Sequence, residues 1–405
     1  MTFAIALSGL NAASTELEVT ANNIANVNTT GFKQSRAEFA EVFSVGTQSV
    51  SSNASGSGVR TARIAQQFAQ GNVDFTDNAL DLAIGGEGFF VLSDSGARVY
   101  TRAGAYSVDR DGFVVNAQGA RLQAYPAAGA GLFNTGTPTD LQLITGASPP
   151  RATSAADLGL NLPANAPVPV TATFDPLDPS SFNHTASVTV YDSLGSALTS
   201  TYYFIKDAAV NSWTIRAQVD GVDVGGASTI AFGPDGSLQT PASGTITLPP
   251  YTPPTGALDI NLNLNFLNTT QFGDSFGVNS LSQDGFTTGR LTGVAVDQTG
   301  IVSARFTNGQ STELGKLALA NFSNPQGLQQ VGDTGFGESS QSGDARLGEA
   351  GTSSFGNISS GALEASNVDL TAELVRMITS QRNFQANAQA IETSDAITQT
   401  VINIR

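Results

Sequence analysis

No cysteine occurs in the 405 residues, so the chain can form no disulfide, no thiolate nucleophile and no Cys-ligated metal centre. Histidine and tryptophan occur once each, as His184 and Trp213. A lone His without a second His, a Cys or a paired acidic motif leaves acid–base and metal chemistry without their usual groups; His184 reads as a surface or satisfied residue. Charged residues make up only 13%, and their balance is −16, which excludes nucleic acid as a partner because its phosphates would repel the chain. No apolar run is long enough to span a bilayer, and the start Met1-Thr2-Phe3 lacks the basic region of a signal peptide. The expectation is a protein without cofactor or membrane segment, cytoplasmic or exported without a cleaved signal. Proline is missing from the first 125 residues, and fifteen of the sixteen prolines fall between Pro126 and Pro254. Because Pro interrupts helices and central strands, this separates a strand-and-loop middle from the two ends.

What the chain does have is 40% hydrophobic residues and 43 glycines, a mixture suited to sheets, tight turns and close-packed backbone. Its length allows two to four domains with sizeable cores. The C-terminal stretch from Asn367 carries Leu370, Leu374, Met377, Gln381, Phe384, Ala388 and Ile391 at steps of four and three. After one shorter step it continues through Ile397, Val401 and Ile404. No Gly or Pro interrupts it. This is a heptad-like stripe, the pattern of a long helix burying one narrow face against another. The N-terminus repeats the spacing in Phe3, Leu7, Leu10, Ser14, Leu17, Ala21 and Ile24. The two stripes predict terminal helices that pair as a coiled coil, the plainer alternative being a helical hairpin packed on a globular body.

After the first helix, Asn22-Asn23-Ile24-Ala25-Asn26 and then Thr29-Thr30-Gly31-Phe32-Lys33 form a strong helix stop. Leu10, Ala13, Leu17 and Val19 leading into these strings resemble the N-terminal signature of the bacterial flagellar axial proteins, the family of rod, hook and hook-associated subunits. Ser44 to Gly58, rich in Ser, Gly, Asn and Thr, reads as a flexible connector. Leu80 to Leu92 reads as strands around a Gly turn; Gly85 to Gly88 lacks the Lys-Ser/Thr of a phosphate loop. Asp109-Arg110-Asp111-Gly112 reads as a hairpin turn rather than a calcium loop, whose other ligand positions are missing. From Arg151 to Asp284 three basic residues stand against eleven Asp and no Glu, about −8 in all. Runs at 186–191, 198–205 and 213–219 there suggest an antiparallel sandwich or barrel. The run Thr189-Val190-Tyr191-Asp192-Ser193-Leu194-Gly195 resembles the inserted domain of hook-type subunits. Hairpin patterning returns at 293–302, followed by an apolar strand from Leu314 to Phe322. Gly361-Ala362-Leu363-Glu364-Ala365-Ser366-Asn367-Val368-Asp369 resembles the family's C-terminal signature, with Asn367 or Ser366 placed to cap the last helix.

The resemblance covers both termini, both flanking segments and the middle. It implies a multidomain α+β architecture: a terminal coiled coil (1–30 and 362–405), a flexible or extended connector (31–71), a discontinuous β-rich core domain (72–148 and 285–361) and an inserted all-β outer domain (149–284). It further implies self-assembly into an open, curved helical tube of the flagellar hook type, passing motor torque from rod to filament. Implied partners are further copies of the chain, a hook cap protein, the distal rod protein, a hook-associated junction protein and the flagellar export apparatus. The expected location is extracellular, on the flagellum. Alternatives are a distal-rod subunit, which should lack the insert, or a dimeric β-rich binding module with a groove lined by aromatics such as Trp213, Tyr202 and Tyr203. An enzyme is disfavoured.

Overall fold

The computed structural model describes residues 2–42, 56–129, 131–143, 146–352 and 354–403. A helix stands at each end, α1 (Thr2–Ala25) and α2 (Leu370–Asn403), and the regular structure between them is almost entirely β. The 34 residues of α2 give a rod of about 51 Å. The chain separates into two compact units, one comprising Met1–Thr145, Gly293–Arg305 and Ser311–Arg405, the other Gly146–Thr292 and Phe306–Gln310.

In the first unit a large sheet draws strands from both sides of the second unit's sequence. Its order runs Leu291–Val296, Ile301–Phe306, Ser311–Asn321, Arg121–Gly129, Phe89–Asp94, Ala97–Thr101, Gly335–Gly337 and Gln329–Gly332. Strand Ser311–Asn321 is central and buried on both faces. Leu317 and Leu319 point into one core cluster, Ala318 and Ala320 into another, which explains a continuous apolar run where a half-exposed strand would alternate. The Gly85–Gly88 segment turns between two strands, as expected, but the strands belong to different sheets. Leu82–Gly85 pairs with Asn357–Ser360, while Phe89–Asp94 belongs to the large sheet, so the glycines carry the chain from one sheet to another. Asp109 and Asp297 each accept backbone N–H bonds inside their turns, the local chemistry that made these turns readable.

In the second unit His184–Tyr191, Ala197–Lys206 and Ser212–Val219 form an antiparallel meander. The facing sheet corrects the expectation of a purely antiparallel body. Its strand Ala155–Pro163 runs parallel to Asn263–Asn265 and Thr270–Phe272 and antiparallel to Gly277–Gln283. Both sheets contribute to one core in which Tyr202, Phe204 and Trp213 meet Leu158, Leu160, Leu264 and Phe266. Trp213 and Tyr202 are fully buried, so they line no ligand groove. His184 opens the first strand of the meander and stacks on Phe276 with ring centroids 4.5 Å apart.

The segment expected as a flexible or extended connector holds regular structure. β1 (Ser35–Glu41) and β2 (Val59–Gln66) pair along their length as an antiparallel ribbon with one irregularity at Glu38/Phe39. The Ser/Gly-rich stretch lies mostly between them, and its residues 44–55 fall outside the described residues.

A candidate assembly joint where the chain ends meet

α1 and α2 pack against each other antiparallel. Asn23 Nδ2 donates to Glu373 Oε2 at 3.2 Å, and fourteen residues back on α1, Gly9 lies under Asn387, fourteen residues further along α2. A Cβ on Gly9 would sit 2.5 Å from the Asn387 side chain, so a residue without a side chain is what permits the approach.

The face that α1 buries is Ala6, Ala13, Val19, Thr20 and Asn23, and on α2 it includes Glu373 and Ser380, with Met377, Phe384 and Ile391 half-buried. Of the expected stripe, Met377, Phe384 and Ile391 lie half-buried, and several of the other positions are more open. Phe3 and Leu7 are exposed, while Leu10, Leu17 and Ile24 are only partly covered. On α2, Leu370 and Leu374 are exposed and Ala388 is half-covered. Steps of three-then-four from Leu370 reach Glu373, Met377, Ser380 and Phe384; steps of four-then-three reach Leu374 and Gln381. The structure takes the first, because small and polar residues admit a close helix and allow the Asn23–Glu373 bond. Val401 lies in the last turn of α2 with its side chain outside the described residues, as is the whole of Ile404.

At the inner end of this helix pair, the signature residues converge on a buried polar joint. Glu364 is fully buried and receives Lys33 Nζ at 2.5 Å, the Gly71 N–H at 2.9 Å and Arg102 Nη1 at 3.2 Å. Lys33 also donates to the Ala69 carbonyl at 2.8 Å, and Arg102 to the Gly86 carbonyl at 2.7 Å. Burial pushes the pKa of both cations down, and the facing Glu364 carboxylate pushes it back up. The Gly31 N–H donates to the Glu364 carbonyl at 2.8 Å. Gly31 has φ +70°, and a Cβ there would lie 2.3 Å from the Ala103 nitrogen, which accounts for glycine at this point.

A second layer adjoins it. Asn367 Oδ1 accepts from the Gln34 N–H at 2.7 Å, and its amide donates to the Gln67 and Ala69 carbonyls. Asn23 clasps Ser35 in both directions, its Oδ1 accepting the Ser35 N–H and its Nδ2 donating to the Ser35 carbonyl. Glu373 Oε1 accepts from Gln34 at 2.6 Å and Arg376 at 3.0 Å. With Asn367 so engaged, the cap of α2 is Asp369, whose Oδ1 accepts from the Thr371 and Ala372 N–H groups; this corrects the assignment of the cap to Asn367 or Ser366. Val368 is buried beside it.

Of the signature positions, Asn23, Gly31, Glu364 and Asn367 are brought together in the joint. Asn22 and Ala25 are exposed, Asn26 hydrogen-bonds back to Asn22, and Ile24, Phe32 and Leu363 are partly buried. Sequence reasoning placed Glu373 only as a favourable acid in the first turns of the last helix; it missed Lys33 as an ionic partner, and Arg102 and Gln34 entirely. Lys33 was visible at the end of the Thr-Thr-Gly-Phe-Lys string, but no local pattern marks a lysine for burial.

Among the described residues, no group of three or more His, Asp or Glu is placed to hold a metal, and no helix is long and apolar enough to cross a membrane. Fold and joint together define a structural subunit, mostly β with one helix at each end, whose buried polar chemistry ties chain segments together. Family models match in four places: the flagella basal body rod protein at 3–33, the flagellar hook protein FlgE/F/G D1 domain at 83–167, the flagellar basal body protein FlaE D2 domain at 161–286, and the flagellar basal body rod FlgEFG protein C-terminal at 359–404. The chain is 38% identical to the flagellar hook proteins FlgE of Escherichia coli K12 and Salmonella typhimurium LT2, over 100% of each chain. It is 34% identical to that of Borreliella burgdorferi over 98% of both. The crystal structure of Helicobacter pylori flagellar hook protein FlgE2 shares the fold, with a TM-score of 0.54 at 13% identity, covering 72% of this chain and all of that one. The chain belongs to the flagellar hook protein FlgE family: it is a structural hook subunit and not an enzyme.

Proposed function

We propose that this subunit polymerises through its two terminal helices into an open, curved helical tube that passes torque from rod to filament. The observation that carries this is an apolar surface left uncovered on both helices. Phe3, Ile5 and Leu7 on α1, and Leu370, Leu374, Val375, Ile378 and Ile397 on α2, all stand exposed in the single chain. Exposed apolar patches of this kind mark interaction sites, and a helix stripe that its own partner leaves open suits a neighbouring copy. Within the subunit α1 and α2 act as the coiled-coil pair, and heterologous contacts between copies generate a tube rather than a closed ring. The residues Phe3, Leu7, Leu10, Leu17, Ile24, Leu370, Leu374, Met377, Phe384, Ile391, Val401 and Ile404 divide between contacts within and between subunits.

In this reading the second unit is the inserted outer domain, and sliding between outer domains lets the tube bend while the helices stay packed. Assembly takes place outside the cell, after export without a cleaved signal, with a cap protein during growth and rod and junction proteins at the two ends. The absence of cysteine suits passage of an unfolded chain, since no crosslink can form. The test is negative-stain electron microscopy of the concentrated chain beside Leu374→Asp. Leu374 is 45% exposed, so the variant should keep the wild-type melting temperature yet lose its tubes. Equal tube yield from both proteins would overturn the assignment of this face.

A further inference from the structure

One face of the β1–β2 ribbon is cationic in a chain whose formal charge is −16. Opposed residues of an antiparallel pair share a face, so the pairings Glu38↔Arg63 and Ala40↔Arg60 place Arg36, Glu38, Arg60 and Arg63 on the same side. Glu38 is the one carboxylate there, held by Arg36 at 3.0 Å and Arg63 at 2.7 Å. Both guanidinium side chains remain more than half exposed, at 54% and 56%, and Arg60 is exposed too. The face therefore carries two positive charges beyond what Glu38 neutralises.

In the same unit, strand Val73–Phe75, paired to Ala362–Glu364 beside the joint, presents the opposite chemistry. Phe75 is 84% exposed at the end of an ordered strand; exposed Asp74 precedes it on the opposite face of the strand, and exposed Asp77 follows two residues later. Among the described residues, no cation of the chain sits over its ring. An exposed aromatic ring and exposed carboxylates within one short projecting segment offer an arginine cluster two kinds of contact, cation–π over the ring and charge-assisted hydrogen bonds to the carboxylates.

We infer that the Arg36/Arg60/Arg63 face of one subunit docks on the Asp74–Phe75–Asp77 knob of a second copy. The inference rests on the tube-forming reading above and adds to its apolar helix contacts a polar contact that sets register. Copies that each carry −16 repel, and setting a cationic patch against an anionic one lowers that repulsion where the copies meet. A patch and a counter-patch at different places on one subunit give a head-to-tail contact, which propagates without closing.

The test is the full chain concentrated with polyethylene glycol at low ionic strength, where charge pairs are little screened. Tube assembly is followed by pelleting and electron microscopy. Arg36→Glu/Arg63→Glu and Asp74→Arg/Asp77→Arg should each raise the critical concentration at least about tenfold, the equivalent of about 1.4 kcal/mol. All four substitutions together should bring it back to within about threefold of wild type. All sites are on the surface; the arginine reversals also remove two exposed pairs with Glu38, so the melting temperature should fall by only a few degrees and the fold should persist. Arg36→Glu/Arg63→Glu combined with Asp259→Arg/Asp344→Arg, at exposed positions elsewhere, restores the net charge without the pairing and should not recover assembly. Neutral charge-reversal variants, failure of the fourfold variant to recover, or equal rescue by the net-charge control would each overturn the pairing while leaving the tube reading intact. A wild-type chain that forms no tubes under any condition would remove that reading, and this contact with it.

Discussion

Replacing Glu364 by Ala strikes the joint at its centre. The carboxylate is fully buried and receives two buried cations and one backbone N–H, so its loss leaves Lys33 and Arg102 charged in a dry site. Removing one partner of a buried ion pair costs about 3–5 kcal/mol. For a unit of this size, each kcal/mol lowers the melting temperature by about 2–4 °C, so a drop of about 6–20 °C is expected. The two units can be watched separately. Both helices belong to the first unit, so ellipticity at the helix band reports it, whereas Trp213, the sole tryptophan, is buried in the second and reports that one by fluorescence. The helix signal should fall by the stated amount and the Trp213 midpoint should stay in place. The pH dependence carries a further signature. Burial holds the Lys33 pKa below its ordinary value, so its penalty is present in full below the folded pKa and is relieved as pH rises from there toward the unfolded value. Without Glu364 that penalty grows, and the deficit against wild type should narrow on the alkaline side. A helix midpoint that moves by less than about 2 °C, or a Trp213 midpoint that moves equally, would refute the reasoning.

Gly31→Ala forces a side chain into a left-handed conformation against the Ala103 nitrogen, and should destabilise the first unit by at least about 1–3 kcal/mol, read as an earlier urea midpoint of the helix signal. In the second unit, burial against Phe276 lowers the His184 pKa. The unfolded chain then takes up the proton first, so this unit should lose stability as pH falls below about 6.5, the unperturbed value. His184→Phe should flatten that slope in Trp213-monitored melts, and an unchanged slope would show that other groups set it.

The parts of the fold that could be read in the sequence are those governed by local chemistry. Asp109, Asp192 and Asp297 fold their turns with their own carboxylates, and the strands between them alternate or run apolar according to how many faces are covered. The mixed sheet around Ala155–Pro163 could not be read, because its parallel partners lie more than a hundred residues away and leave no local mark. The face buried within the chain differs from the apolar stripe for a definite reason: hydrophobicity points to Leu370 and Leu374, whereas the pairing within the chain uses Ala6, Gly9, Ala13, Asn23 and Glu373. The family strings drew attention to Asn23, Gly31, Glu364 and Asn367, but a string cannot show that all four meet one another, or that Arg102 joins them.

The joint also fixes an order of events in folding. Asn23 and Glu373 are 350 residues apart, and Glu364 closes contacts with Lys33, Gly71 and Arg102 across comparable distances. None of these bonds can form before the final fifty residues are present, while nearly all of the second unit is one continuous stretch. Contacts of such long sequence separation are slow to form, since the chain must be closed into a large loop before they contribute. A chain growing from its N-terminus therefore keeps α1 without its partner until α2 has been made. The arrival of the segment from Glu364 to Glu373 is then the event that closes the joint.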